Sequence, residues 1–210
     1  MSPGFQTLEQ FSRLVRASQV SLGEGGVLSL EDGMERALQT FELIKARGRK
    51  ILLIGNGGSA AVASHQAVDL WRNAGVRALA FSDASMLTCI ANDFGYGQVF
   101  AQPIEMLCDS GDCLIAISSS GKSQNILQAV DKARAKGAGI ISFSGFSREN
   151  ELRSRGDLNF YLPSTSYGIV EVGHLLLLHS IIDEFVQRTK KPSHDARIPN
   201  RPISTDVAHS

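Results

Sequence analysis

From Lys50 onward, short apolar runs alternate with stretches of helical period, and this alternation constrains the fold more than any other feature of the chain. The runs are Ile51–Ile54, Arg77–Phe81, Cys113–Ile117, Gly139–Phe143 and Leu158–Leu162. Helical patterns follow near Ser59–Asn73, Ala84–Ala91, Gln124–Lys136, Arg148–Ser154 and Gly168–Lys190. Continuous apolar strands separated by helices predict a parallel sheet covered on both faces, an α/β three-layer αβα sandwich. Two further amphipathic patterns, Phe5–Leu22 and Leu30–Ala46, predict helices before any strand, separated by Gly23-Glu24-Gly25-Gly26. Such helices must bury their apolar stripe, and a second subunit is a natural partner for them.

A chain of 210 residues suits one substantial domain. We expect residues 1–190 to form it, with 1–48 as N-terminal helices and 49–190 as the α/β core. The proline-rich 191–210 reads as an extended or disordered tail. Basic and acidic residues balance at 21 each, so no net field favours nucleic acid or an anionic membrane. No leader-like start and no apolar run of the ~20 residues needed for a membrane span is present, which points to a soluble cytoplasmic protein. Cys89, Cys108 and Cys113 lack metal-ligand spacing, and we expect reduced, buried thiols.

Ligands of open α/β sheets bind beyond the carboxyl ends of strands, where a following helix offers free N–H groups and the positive end of its dipole. Two strand ends here are built that way. Gly55-Asn56-Gly57-Gly58-Ser59 is neither a dinucleotide fingerprint nor a Walker loop, which argues against a nucleotide. Its glycines admit a close ligand, and Asn56 and Ser59 supply hydrogen bonds. In Ile117–Ser123, the hydroxyls of Ser118, Ser119, Ser120 and Ser123 surround Gly121 just before a helix. Capping accounts for one or two serines, whereas four fit a phosphate.

The helix after the first loop carries His65 and Asp69 one turn apart on one face. The last helix sets Glu171, His174 and His179 in an apolar stretch, where each needs a partner or a ligand. His174 and His179 are five positions apart, about 140° around a helix, so they should not share a site.

Gly55–Ser59 with His65 behind it, Ser82–Ser85, Ala91–Gly95, Ile117–Ser123 and Ser142–Gly145 together resemble the sugar isomerase (SIS) domain. Within it they resemble the phosphoheptose isomerase branch, from about Leu30 to Arg188. The resemblance implies an enediol isomerase that converts D-sedoheptulose 7-phosphate to D-glycero-D-manno-heptose 7-phosphate, supplying heptose for lipopolysaccharide or another glycoconjugate. It implies phosphate held by the four serines and Ser59, with Asn56, Gly57, Gly58, Asn92, Asp93 and Glu171 around the sugar. It implies Asp69 as the base on carbon and His179 as its acid–base partner. Zinc on His65, Asp69, Glu171 and His179, and a homotetramer with active sites between subunits, complete the expectation. Glu171 and His179 lie roughly 12 Å apart along one helix, so they share an ion only if side chains lean together or subunits contribute jointly. The chain departs from the family pattern at Asp69, where Glu is usual, at Glu171 for Gln and at Gly168 for Asp. The resemblance also admits an isomerase for another ketose phosphate, or a non-enzymatic protein like the adaptor of the bacterial replication initiator, which lacks the carboxylate and final histidine that are present here as Asp69 and His179.

Overall fold

A computed structural model describes residues 2–23 and 25–189 of the chain; the expected tail lies outside them. Helix α1 (Pro3–Arg16) leads into a short hairpin, β1 (Gln19–Leu22) and β2 (Val27–Leu28), and then α2 (Leu30–Ala46). Alternating units follow: β3 (Lys50–Gly55), α3 (Gly58–Arg72), β4 (Arg77–Ala80), α4 (Ala84–Phe94), α5 (Ala101–Leu107) and β5 (Cys113–Ser118). The chain closes with α6 (Gln124–Ala135), β6 (Gly139–Ser144), α7 (Glu151–Arg155), β7 (Leu158–Tyr161) and α8 (Tyr167–Thr189). One sheet of seven strands runs β2-β1-β7-β6-β5-β3-β4. From β7 to β4 every neighbouring pair is parallel.

The expected sandwich is present, because strand side chains alternate between two apolar layers. Ile51, Leu53, Ile115 and Phe143 face α2, α3 and α8. Leu52, Ile54, Leu114 and Ile140 face α5, α6 and α7. Ser29 caps α2, its Oγ accepting from Asp32 N at 3.0 Å, which fixes the start of that helix.

Two expectations are corrected. The first two helices do not precede all strands: β1 lies between them and pairs antiparallel with β7. Four residues with a weak alternation, next to a glycine-rich turn, carry too little period to stand out from the flanking helices. Nor are all three thiols buried. Cys108 and Cys113 are, and burial pushes their pKa values up to about 11 and about 12. Cys89 is exposed, because α4 lies over the sheet without a single buried residue.

Strand β3 starts the parallel part of the sheet and has β4 on one side and β5 on the other. Helices α3 and α6, which leave β3 and β5, pack on opposite faces. The sheet therefore switches winding direction between β3 and β5, where such folds open a crevice.

Candidate active site

Both donor-rich loops meet at this switch point. Gly55 pairs in register with Ile117, so Asn56 and Ser118 leave neighbouring strands at the same level. Their contact is direct: Asn56 and Asn125, in the first turn of α6, exchange two amide hydrogen bonds of 2.9 Å. Tyr96 donates its hydroxyl to Asn56 Oδ1 at 3.1 Å and brings the segment after α4 to the first loop. Sequence reasoning missed Asn125 and Tyr96, although each follows a stretch singled out for chemistry.

The loops differ in what they offer. Gly57 takes φ +55° to turn β3 into α3, and Ser59 is buried beneath the turn. In the second loop Gly121, at φ +64°, folds back so that its N–H donates to Ser118 O at 3.1 Å. Ser118 and Ser123 hydroxyls face each other at 3.4 Å, and Ser120 Oγ accepts from Lys122 N at 3.3 Å. Ser123 sits at the start of α6 without a capping bond from its side chain, and the buried Ser119 hydroxyl has no partner among the described residues. A hydroxyl enclosed without a partner is a costly group unless something fills its hydrogen bond.

Helices α3 and α8 lie side by side and bring three of the four expected ligands together. Asp69 Oδ2 is 3.4 Å from His65 Nε2 and 3.6 Å from His179 Nδ1. The two imidazole rings meet edge-on with centroids 5.1 Å apart. One donor atom from each of the three residues falls within 4.8 Å of the others. Asp69 is the most enclosed, its side chain 17% exposed against 33% for His179 and 57% for His65. Two imidazoles and one carboxylate form a donor set suited to zinc, with a position left open for a ligand.

Glu171 stands elsewhere on α8. A Cβ placed on Gly58 would lie 2.3 Å from a Glu171 carboxylate oxygen, so this side chain covers the first residue of α3. A carboxylate there faces the positive end of the α3 dipole. A larger residue at Gly58 would have to displace the Glu171 carboxylate from this position.

His174 is separated from the site, as its spacing from His179 predicts. Its Nε2 lies 3.0 Å from Ser144 O, its ring packs edge-on against Phe143, and it is fully buried. Burial holds its pKa down at about 4. Asn92 and Asp93 are exposed at the end of α4, where Asn92 donates to Asp93 Oδ1 at 2.9 Å and Cys89 Sγ lies 3.6 Å from Asp93 Oδ2. Two cavities lie away from both loops. One of about 780 Å³ opens at the amino ends of β5–β7, beside Arg36, Arg134 and Arg155. The other, about 510 Å³, lies between α2 and α8.

A doubly wound sheet with two donor-rich loops at its switch point defines a sugar isomerase domain, and residues 22–145 match the family model described as SIS domain. The phosphoheptose isomerase of Burkholderia pseudomallei is 42% identical over 160 residues, covering 70% of this chain and 81% of that protein. The one from Geobacter sulfurreducens is 37% identical, covering 79% and 93%. The solved phosphoheptose isomerase from Neisseria gonorrhoeae superposes with a TM-score of 0.70 at 31% identity, covering 74% of this chain and 87% of that one. The chain belongs to the phosphoheptose isomerase family of SIS-domain proteins.

Proposed function

We propose that this protein is an aldose–ketose isomerase converting D-sedoheptulose 7-phosphate to D-glycero-D-manno-heptose 7-phosphate through an enediol. The observation that carries the reading is Asp69, held between His65 and His179 by α3 and α8, with α3 starting from the glycine loop that meets the serine loop. Ser118, Ser119, Ser120 and Ser123, with Ser59, hold the phosphate; hydroxyls and helix N–H groups do this without formal charge. Asn56, Gly57, Gly58, Asn92 and Asp93 line the sugar, and Glu171 approaches from α8.

Asp69 takes a proton from C1 of the ketose and returns it to C2, and its enclosure keeps bulk water from exchanging that proton. His179 moves the hydroxyl proton between the two oxygens, so the sugar leaves with no net gain or loss. His65 fixes Asp69 from the other side. Zinc, held by His65, Asp69 and His179, with Glu171 joining only if subunits contribute jointly, would polarise the substrate carbonyl as a Lewis acid.

The site is open in a single chain, and apolar side chains remain exposed beside it: Val68 and Trp71 on α3, Val172 and Leu176 on α8. A homotetramer with active sites between subunits would cover them. Residues 1–190 act in it as one domain. Among the described residues no helix is long and apolar enough to cross a membrane, and we place the reaction in the cytoplasm, in heptose supply for lipopolysaccharide or a related glycoconjugate.

The test is interconversion of the two heptose phosphates by purified, zinc-supplied protein. Asp69→Asn should lower turnover by 10²-fold or more, the usual weight of a positioned base, while sugar-phosphate binding stays. Binding without turnover in the unaltered protein would instead favour the adaptor-like reading.

A further inference from the structure

An anion loop needs more than donors, because every peptide also carries a carbonyl whose lone pairs repel phosphate. In the serine loop the two carbonyls nearest the turn are removed by one neighbouring segment. Ser119 O accepts from Gly145 N and Gly121 O accepts from Leu152 N, both at 3.0 Å. Both donors flank the connection between β6 and α7, residues 145–150. These two carbonyls are thereby satisfied within the protein and turned away from a ligand of the loop.

That connection is itself rigid, and Asn150 is its fixing point. The side chain is 2% exposed. Its amide nitrogen donates to Ser147 O at 2.7 Å, Gly145 O at 3.2 Å and Ser144 Oγ at 3.3 Å. Its Oδ1 accepts from Arg153 N at 3.0 Å and so caps α7. The side chain also packs closely on the serine loop: a Cβ on Gly121 would come 2.0 Å from Asn150 Oδ1. Phe146, next to Gly145 in the clamp, is held at φ +56°, a left-handed conformation that is strained for a bulky residue. It is pinned by Phe146 N to Ser164 O and by Tyr161 Oη to Phe146 O, both 2.9 Å. Such strain persists where surroundings over-determine the backbone.

We infer that Asn150 is a positioning residue for phosphate: it braces the 145–150 clamp that turns the serine-loop carbonyls inward. This rests on the phosphate reading of that loop given above. Asn150 touches no substrate; its effect passes through Gly121, Gly145 and the alignment of Ser119.

The experiment measures inorganic phosphate affinity, KM and kcat for the sugar phosphate, and binding of Co²⁺ as a spectroscopic stand-in at His65, Asp69 and His179. Asn150→Asp keeps the volume and the α7 cap but loses the three donated bonds; Asn150→Ala loses both. Phosphate affinity should fall about tenfold or more and KM rise in step, with kcat within about threefold and Co²⁺ binding unchanged. Gly121→Ala should also weaken phosphate binding, and adding Asn150→Gly, which removes the Asn150 Cβ at 2.7 Å along with the amide, should restore part of it, a coupling that two independent losses do not give. Unaltered phosphate affinity in both Asn150 variants, or Co²⁺ binding lost in proportion, would overturn the inference while leaving the isomerase reading intact. An unsubstituted protein that binds no phosphate would remove both.

Discussion

His174 and His179 sit five positions apart on α8 and meet different surroundings. Asp69 gives His179 a partner at 3.6 Å, whereas His174 is enclosed by core and bonded to one carbonyl. Because burial lowers the His174 pKa to about 4, the folded state keeps it neutral while the unfolded chain takes up a proton below about 6.5. Its contribution is therefore complete above pH 6.5 and is lost as pH falls from 6.5 towards 4, by up to about 3 kcal/mol. Urea unfolding at pH 4.5 to 7 should show stability rising with pH across that window, and His174→Gln should flatten the rise. An unchanged slope in the variant would place the pH dependence elsewhere. The spacing of the two histidines was enough to separate them in the sequence. The position of Glu171 was not legible there, because its contact with Gly58 depends on how α8 lies along α3.

The β–α alternation of the core was readable because each unit carries its own period and its own turn residues. The hairpin between α1 and α2 was not, since β1 is defined by β7, a partner far away in the chain. The same contact explains Gly33 in α2. A Cβ there would meet Val20 of β1 at 2.6 to 3.0 Å, so the helix lies on the strand with no room for a methyl group. Gly33→Ala gains helix propensity of about 1 kcal/mol but overpacks a closed contact, which costs typically 1–3 kcal/mol. A lowered thermal midpoint is expected, and a raised one would show that the hairpin yields easily. Helix α4 misled the reading of Cys89 for a related reason: an apolar period does not say what covers it.

In the complete fold, the site is a product of strand order. The two loops lie some sixty positions apart in sequence and become neighbours only because β3 and β5 pair. Sequence reasoning located the two loops at strand ends, but not the Asn56–Asn125 amide exchange that joins them. The exposed apolar residues on α3 and α8 belong to the same level. Trp71→Glu is expected to reduce particle mass in light scattering and to depress turnover in parallel, because the proposed catalytic trio of His65, Asp69 and His179 lies on the same helix pair. A fully assembled, fully active variant would move the subunit contact to another face.

The pairing of β1 with β7 also bears on how the molecule is made. Residues 19–22 have only a two-residue hairpin partner until residues 158–161 arrive, and an isolated hairpin is marginal in water. Closing that edge joins distant parts of the chain, the kind of contact that slows folding. A nascent or refolding chain thus carries an open strand edge at β7 late in the process, when other chains can pair with it. The yield of refolded protein should accordingly fall with concentration more steeply than the stability of the finished sheet suggests.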